Sequence, residues 1–446
     1  MKSDISGFPE FMPNEQIAFN KVVDSIKKHF ELYGFVPMDT HSVERISTLI
    51  AKGNDAEIYG LFRLSNESKK DLGLRFDLTV PLARYVSSYS GELIFPYKRY
   101  QIAPVWRGER PQYGRYRQFY QCDIDVIGNE SLSVEYDAEI VFLITEILQF
   151  LNIPAFHTEI NNRKILSGFM KTIVAENKVA ETLKLIDKIE KITSAEFDEE
   201  AIKLGIPQEN LKKLKNFIDA RKRRGNVEIL MWLNSLDINE EYKEGVTELN
   251  NVFQALKKLG FEDSLIRVSP KLCRGLNYYT GTIFETVFND INDVGSIAGG
   301  GRYDNLVEML SDKKFPGVGA TIGISRIVPK LIEKGILKAD LFTSATVLVT
   351  TQNRDFIVSY MRIANKLRGM GIKTETYLQD KSLGVQLSYA SRKRFKFVII
   401  ANEMELLEGT AIIKNLVTKE QKTIRTEYIA NDVAEWISHD SSQYNR

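Results

Sequence analysis

The first third of the chain passes from a helical pattern to strand patterns and back to a helical one. Apolar residues recur at helical spacing over residues 14–33, which predicts an amphipathic helix that ends at Gly34. Short runs of alternating apolar and polar residues predict strands from about residue 55 to residue 128, with the polar loop GERPQYG before the last strand. A long helix is predicted next, from Ser131 or Ser133 to about residue 151.

The rest of the chain divides into a helical stretch, a second group of strands and an alternating region. Residues 163–260 are largely helical in pattern and rich in Lys and Glu, which predicts a helical insertion. Strand patterns resume in SLIRVSP and YYTGTIFETVF, and the glycine-spaced strand GVGATIGI runs into a helix. After a linker expected at residues 336–343, strands alternate with helices, which predicts a compact α/β domain of about 100 residues.

Composition narrows the class of protein. A chain of 446 residues is expected to hold two or three domains. Its 60 Lys and Arg against 59 Asp and Glu exclude a polycation or an acidic tail, although local basic patches can still bind nucleic acid. Two distant cysteines and four scattered histidines make a disulfide framework or a zinc site unexpected. With no apolar leader and no apolar run near 18 residues, we expect a cytosolic protein without a membrane contact.

The strand after the GERPQYG loop carries polar side chains on one face. Because strand side chains repeat every two residues, that face holds Arg117, Phe119, Gln121, Asp123 and Asp125. One interpretation is the solvated face of a half-exposed sheet. The other is a phosphate clamp of arginines at one end, with acceptors for an amine or an imidazole at the other. The loop and its edges hold Arg107, Glu109, Arg110, Arg115 and Arg117, and the arginines among them would form this clamp.

Three further segments suggest a binding site. Asp77 and Thr79 are expected on one side of a strand, where they either hold an ammonium group or make ordinary turn bonds. In RGLNYYTG, Arg274 precedes two tyrosines that either line a pocket or belong to the core. In GVGATIGISRI, Arg326 either reaches a phosphate or an adenine ring, or is an exposed helix arginine.

The glycine run of AGGGRYD completes the set. Gly299, Gly300 and Gly301 would let the backbone approach a flat ligand closely, although loops also use such runs freely. Together the segments favour an ATP-using enzyme that activates a carboxylate. A carboxylate is already a nucleophile, so its attack on an α-phosphate needs orientation and charge neutralisation more than a general base.

These motifs resemble the class II aminoacyl-tRNA synthetases, and within them the histidyl-tRNA synthetase family. WRGERPQYGRYRQFYQCDIDVIG is similar to motif 2, RGLNYYTG and AGGGRYD to the two histidine-specific signatures, and GVGATIGISRI to motif 3. The resemblance implies an α/β protein whose antiparallel sheet is flanked by helices. It further implies a catalytic domain over residues 1–335 with a helical insertion at about 165–235, a linker at 336–343, and an anticodon-binding α/β domain over 344–446.

The resemblance also implies a role for individual residues. Arg107, Glu109 and Arg326 would bind ATP, and Arg274 would act with Arg107 in catalysis at the α-phosphate. The substrate histidine would be held at its amino group by Asp77, Thr79 and Gln121, and at its imidazole by Asp125 and Tyr279. Mg²⁺ is expected on the ATP phosphates rather than in a protein site. The implied partners are tRNA(His), histidine, ATP and a second copy of the chain.

The chain departs from the family pattern at three positions: Asn277 replaces an Asp, Ser325 replaces a Glu, and His41 replaces a motif 1 proline. Two basic runs, residues 221–224 and 392–394, are either solvated faces or phosphate contacts for tRNA.

Two rival functions remain open. A regulatory paralogue, such as the partner of ATP phosphoribosyltransferase, would resemble the catalytic domain but generally lose motif residues and the terminal domain. A class II synthetase for another amino acid would have different pocket residues from Asp125 and Tyr279. The presence of the motif residues favours the histidine enzyme over both.

Overall fold

The computed structural model divides the chain into two compact units. It describes residues 5–50, 60–64, 71–112, 114–189, 192–274, 279–291, 293–304 and 313–444. One unit comprises Met1–Pro9 and Val22–Ile336, and the other comprises Glu10–Lys21 and Leu337–Arg446. The grouping of residues 10–21 with the C-terminal unit was not predicted. The limits of the catalytic domain, insertion and linker given above stay predictions.

The first unit is built on an eight-stranded sheet, with a small three-stranded sheet beside it in the chain. The strands are β1 Val36–Pro37, β2 Val43–Arg45, β3 Arg63–Leu64, β4 Leu72–Leu74, β5 Tyr97–Trp106, β6 Gln118–Ile127, β7 Phe156–Asn162, β8 Ile266–Val268, β9 Thr282–Phe288, β10 Ser296–Tyr303 and β11 Gly317–Ile322. The large sheet has the order β1-β5-β6-β11-β10-β9-β7-β8, and the small one β2-β4-β3. The six inner strands of the large sheet pair antiparallel with one another, whereas the edge strands β1 and β8 each pair parallel with their neighbour. The antiparallel sheet flanked by helices is therefore confirmed.

Helices occupy the segments around and between these strands. They are α1 Pro13–Leu32, α2 Ile46–Leu49, α3 Thr79–Tyr89, α4 Glu135–Phe150, α5 Arg163–Met170, α6 Val179–Asp187, α7 Ser194–Lys203, α8 Gln208–Ile218, α9 Asn226–Ser235, α10 Glu240–Lys258 and α11 Ile324–Glu333. Short 3-10 turns lie at Glu176–Lys178, Asp219–Arg223 and Asp263–Leu265. The helices from α5 to α10 fill the Lys- and Glu-rich stretch, as its spacing predicts. No helix within the described ranges is long and apolar enough to cross a bilayer.

Helix α1 shows how local sequence sets an element. It begins with Pro13, whose fixed φ and missing N–H suit a first helical position. It ends before Gly34, which adopts a φ of +78°, a conformation that favours glycine. Ile26 and Phe30 are completely buried, so the predicted apolar stripe provides the packing surface.

The expectation that Asp77 and Thr79 lie on one strand is wrong. Strand β4 ends at Leu74, and Thr79 is the first residue of α3. The Asp77 carboxylate accepts the Val80 backbone N–H at 3.0 Å, which satisfies one of the free donors at the start of a helix. Asp77 therefore contacts the first turn of a helix, and it does not share a strand face with Thr79.

The second unit is the predicted α/β domain. Its strands are β12 Val347–Val349, β13 Thr374–Thr376, β14 Phe397–Ile400, β15 Thr410–Asn415 and β16 Gln421–Arg425, and its helices are α12 Ile357–Gly369, α13 Leu383–Lys393, α14 Glu403–Leu407 and α15 Ile429–Tyr444. The sheet order is β13-β12-β14-β15-β16, with the first three strands parallel and the rest antiparallel. Val347, Val349, Phe397 and Ile399 form the buried face against α12 residues such as Tyr360.

Candidate active site

A cleft of about 930 Å³ lies on one face of the eight-stranded sheet. The nine residues assigned a role from the sequence all line it: Asp77, Thr79, Arg107, Glu109, Gln121, Asp125, Arg274, Tyr279 and Arg326. They come from elements far apart in the chain, namely the start of α3, strand β6 with the loop before it, the segment before β9, and helix α11. The sheet therefore brings the predicted residues to one place, whereas their individual roles stay proposals.

The strand face predicted from alternation is present on β6. Phe119, Gln121, Asp123 and Asp125 all face the cleft. Gln121, Asp123 and Asp125 are at most 9 % exposed, so this is a buried polar surface rather than a solvated one. A buried polar face without a ligand is costly, which favours the binding interpretation.

Asp125 is held by side chains from β5, the adjacent strand, and from β10, which lies beyond β11. Arg99 is its direct partner on β5, and its Nη2 lies 2.5 Å from Asp125 Oδ2. The Tyr303 hydroxyl donates to Asp125 Oδ1 at 2.5 Å. Both partners are almost completely buried. The carboxylate is therefore fixed in one orientation, and its remaining lone pairs can accept a further N–H donor.

Gly319 makes room for Asp125. It is the cross-strand partner of Asp125 on β11, and a Cβ at this position would lie 2.0 Å from Asp125 Oδ1. Any side chain here would displace the carboxylate, so glycine is required by space.

Asp123 adds a second carboxyl group to this end of the cleft. Burial raises the pKa of Asp123 to about 7, an effect that Arg99 opposes and Asp125 reinforces. The charge of Asp77 raises this pKa as well, and Asp77, Asp123 and Asp125 all line the cleft. This end of the cleft is therefore suited to an ammonium or imidazole group.

The opposite end of the cleft is rich in arginine. Arg107, Arg115, Arg274 and Arg326 line it together. The pKa of Arg326 is lowered to about 10, mainly by burial and in addition by the charges of the other three arginines, while Glu285 opposes these effects. Converging guanidinium groups that are partly removed from water favour an anion with several charges, such as a polyphosphate.

The arginines are oriented by specific contacts. Arg107 Nε donates to the Phe76 carbonyl at 3.0 Å, and its guanidinium lies 5.1 Å from the centre of the Phe119 ring. Arg117 lies outside the cleft lining, and its Nε donates to the Glu109 carbonyl at 3.1 Å. Of these loop arginines, therefore, Arg107 and Arg115 line the cleft, whereas Arg117 supports the loop.

Ser296 connects the two arginines that come from outside motif 2. Its hydroxyl accepts from Arg274 Nη1 at 2.7 Å, and its carbonyl accepts from Arg326 Nη1 at 3.0 Å. The same Arg274 nitrogen also donates to Glu285. Ser296 lies beside an irregularity in the pairing of β10 with β9, and such bulges commonly re-aim side chains at functional sites.

The glycine run makes space for protein groups. Gly299, Gly300 and Gly301 lie on β10 between β9 and β11. A Cβ on them would meet Arg274 Nη1 at 2.8 Å, the Gly319 carbonyl at 2.0 Å and the Tyr279 ring at 2.9 Å, respectively. Gly299 also lines the cleft. Gly299 and Gly301 thus leave space for the side chains of Arg274 and Tyr279, and Gly300 leaves space for the backbone of β11.

Four residues with clear contacts in the site received no role from the sequence: Arg99, Glu285, Ser296 and Tyr303. Arg99 and Tyr303 fix Asp125, whereas Glu285 and Ser296 fix Arg274. Tyr303 belongs to the AGGGRYD motif, which was the available signal for it. The other three depend on strand register, which a single sequence does not specify.

The departures from the family pattern lie at different places. Ser325 is buried, and its Oγ accepts the Tyr120 backbone N–H at 2.9 Å, so it connects α11 to β6. His41 is exposed. Asn277 lies outside the described residues.

The basic runs are partly engaged within the protein. Arg221 Nη1 donates to Asn226 Oδ1 at 2.8 Å, and the Arg224 guanidinium lies 4.7 Å from the centre of the Trp232 ring. In the second run, Lys393 lies over the Tyr389 ring at 4.8 Å. Contacts of either run with RNA stay a proposal.

Comparison with known proteins agrees with the site. Residues 7–327 match the family model described as histidyl-tRNA synthetase, and residues 345–436 match the anticodon binding domain. The histidine–tRNA ligase of Clostridium tetani is 41 % identical over 96 % of this chain and 98 % of its own length. The crystal structure of histidyl-tRNA synthetase from Nostoc sp. PCC 7120 superposes with a TM-score of 0.87, at 35 % identity and covering 98 % of this chain and 99 % of that one.

A more distant structure shares the fold alone. An ATP phosphoribosyltransferase regulatory subunit/histidyl-tRNA synthetase from Bacillus halodurans C has a TM-score of 0.73 at 18 % identity, covering 87 % of this chain and 96 % of that one. The relationship to the ligases is stronger than the one to this structure. The ligases match over nearly the full chain, both family models are present, and all nine residues line one cleft. The chain belongs to the histidyl-tRNA synthetase family.

Proposed function

We propose that the protein ligates L-histidine to tRNA(His) with ATP. The observation that carries this proposal is the polarity of the cleft, which has four arginines at one end and the carboxyl groups of Asp77, Asp123 and Asp125 at the other. A triphosphate fits the first end, and the amino and imidazole groups of histidine fit the second. Membership of the family supports the same pairing of substrates.

The first step is formation of histidyl-adenylate. The histidine carboxylate attacks the α-phosphorus of ATP, and the bond from that phosphorus to the pyrophosphate oxygen breaks. Arg107 and Arg274 neutralise the charge that builds on the α-phosphate oxygens, and Arg326 holds ATP from the other side. Fixed charges of this kind need little reorganisation during the reaction, which is why orienting contacts such as the Ser296 hydroxyl matter.

Histidine is selected by hydrogen bonds at both of its polar ends. Asp77, Thr79 and Gln121 hold the amino group, and Asp125 and Tyr279 hold the imidazole. Gln121 Oε1 is buried without a hydrogen-bond partner among the described residues, so an ammonium N–H would satisfy it. In the second step a hydroxyl of the terminal ribose of the tRNA attacks the histidyl carbonyl, and AMP leaves.

Mg²⁺ belongs to the proposal as an ion carried by the ATP phosphates. Across the described ranges no group of three or more His, Cys, Asp or Glu side chains could hold a metal by itself. Glu109 and Glu285 line the arginine-rich end and offer the hard oxygen ligands that Mg²⁺ takes in addition to phosphates. Bound there, the ion would neutralise phosphate charge.

A homodimer and a cytoplasmic location complete the proposal. Exposed apolar side chains near the edge strand β1 support self-association, since Leu32 is 79 % and Val36 is 47 % exposed. Light scattering on the purified protein should give twice the mass of the chain, and a monomer at working concentration would remove this part of the proposal.

The test of the function is ATP–pyrophosphate exchange without tRNA, measured with each standard amino acid. The proposal predicts exchange with histidine alone. Exchange with a different amino acid would identify another synthetase. No exchange with any amino acid, in a folded protein, would favour the regulatory class of relative.

A further inference from the structure

A cluster of positive charge lies beside the cleft, at the β8 edge of the same sheet. Arg267 on β8 is opposite Glu159 on β7, which in turn is opposite Glu285 on β9. Directly opposed residues in a sheet point to the same face, and Glu285 lines the cleft. Arg267 is therefore two strand spacings, about 10 Å, from the cleft wall along one face.

His157 organises this cluster. Its Nδ1 lies 2.5 Å from Asn289 Oδ1, an acceptor, so Nδ1 carries the proton and Nε2 is left as an acceptor. Arg267 Nη1 donates to Nε2 at 3.1 Å. Burial lowers the pKa of His157, and the charges of Arg267, Lys271 and Arg221 lower it further, against the Asn289 contact, which raises it. The imidazole is thus neutral, and it orients the Arg267 guanidinium without cancelling its charge.

Arg221 brings the helical insertion into the same cluster. Asn226 covers the edge of β8, because its Nδ2 donates to the Ile266 carbonyl at 3.0 Å and its Oδ1 accepts the Val268 N–H at 3.0 Å. The same Oδ1 accepts from Arg221 Nη1 at 2.8 Å. Because Asn226 Oδ1 accepts from both Arg221 and the backbone of Val268, the residue after Arg267, the two arginines are neighbours at this edge. Burial lowers the pKa of Arg221, the charge of Arg267 lowers it further, and Glu159 opposes both effects.

Positive charge is concentrated in this cluster. Arg221, Arg267 and Lys271 are cationic, and His157 is neutral. Glu159 contributes a carboxylate, with Lys271 Nζ at 3.8 Å from its Oε1. All three cations are half-buried, so water screens their repulsion less than at an open surface. An anion between the guanidinium groups would relieve that repulsion.

We propose that Arg221 and Arg267, flanked by Lys271, bind a backbone phosphate of the RNA strand whose 3′ end enters the cleft. This inference rests on the proposed function, because that function requires an RNA terminus at the cleft. The planar guanidinium fork matches phosphate oxygens in pairs. The position of the cluster on the same face, next to Glu285, puts the phosphate on the path of a strand that reaches the adenylate.

The test compares two reactions of the full-length protein. Arg221→Gln and Arg267→Gln should each lower kcat/KM for tRNA in aminoacylation about tenfold, as expected for loss of a charge-assisted phosphate contact. Each should leave histidine-dependent ATP–pyrophosphate exchange unchanged, because that reaction needs no RNA. The slope of log KM for tRNA against log salt should fall by about one for each variant.

Lys222→Gln is the matched control. Lys222 is adjacent to Arg221, its side chain is 74 % exposed, and it is paired with Asp219 rather than with the cluster. Removal of its charge should leave both reactions unchanged. If the arginine variants have the tRNA kinetics of Lys222→Gln, the phosphate site is wrong.

Two other outcomes are distinguishable. Loss of histidine-dependent exchange in the unsubstituted protein would remove the proposed function itself, not only this site. Weaker inhibition of exchange by added inorganic sulfate in the arginine variants, with unchanged tRNA kinetics, would assign the cluster to a free anion and overturn the RNA contact.

Discussion

Arg274 and Ser296 are joined by a hydrogen bond of 2.7 Å between Nη1 and Oγ, and the carbonyl of the same serine holds Arg326. One residue on a bulged part of β10 therefore contacts both of these arginines at the arginine-rich end of the cleft. Replacement of Ser296 by alanine removes the bond from Arg274 to the hydroxyl but keeps the bond from Arg326 to the backbone carbonyl.

Ser296→Ala should therefore affect Arg274 selectively. We expect the rate of histidine-dependent exchange to fall about tenfold, or ~1.4 kcal/mol of barrier, with little change in KM for ATP. Ser296→Thr keeps a hydroxyl and should restore most of the rate. Equal losses in the two variants would show that the hydroxyl does not aim Arg274.

Arg274→Ala should remove charge stabilisation at the α-phosphate. Adenylate formation measured in single-turnover experiments should slow by more than about tenfold. Arg110→Ala is a suitable control, because Arg110 belongs to the same loop as Arg107 but is exposed and outside the cleft lining. A smaller loss in Arg274→Ala than tenfold would exclude a catalytic role for this arginine.

Asp123 predicts a pH dependence of stability. Its pKa is about 7 in the folded protein, mainly through burial, and is about 3.9 when unfolded. The folded state thus retains the proton longer, so the folded state loses stability as pH rises from about 4 to about 7, and above that the cost is constant. Asp123→Asn should remove this cost, which is of the order of one or more kcal/mol.

Urea denaturation of Asp123→Asn and the unsubstituted protein at pH 5 and pH 8 checks this directly. The free energy of unfolding of the variant minus that of the unsubstituted protein should be larger at pH 8 than at pH 5. A constant difference would show that Asp123 has an ordinary pKa in the folded state.

Gly319→Ala should disturb the imidazole end of the cleft. The new methyl group would overlap Asp125 Oδ1 and the backbone of β6, so we expect a loss of about 1–3 kcal/mol and a raised KM for histidine. Gly384→Ala is the matched control, since Gly384 is exposed in α13 and a Cβ there meets nothing within 4 Å. It should stabilise by up to about 1 kcal/mol. Thermal denaturation and exchange kinetics of both variants provide the comparison.

Strand alternation was sufficient to predict the polar face of β6, because side-chain direction in a strand depends on sequence parity alone. It failed at Asp77 and Thr79, because the strand ends at Leu74 and a helix begins at Thr79, with the Asp77 carboxylate accepting the Val80 N–H in its first turn. The apolar residues around them suit either element, so local pattern did not decide between the two.

The supporting residues of the site required the fold. Arg99 faces Asp125 because of the register of β5 with β6, and Ser296 reaches Arg274 because of an irregularity between β9 and β10. Such pairings depend on long-range contacts. The resemblance to a family identified residues that line the cleft, but not the residues that hold them in place.

The most direct test of the polarised cleft is two-substrate exchange kinetics of Gln121→Ala and Arg326→Gln. Loss of either hydrogen-bonding group should raise the KM of its own substrate about tenfold. We predict that Gln121→Ala raises the KM for histidine and leaves that for ATP unchanged, and that Arg326→Gln does the reverse. A rise in the same substrate's KM in both variants, or the opposite assignment, would contradict the account.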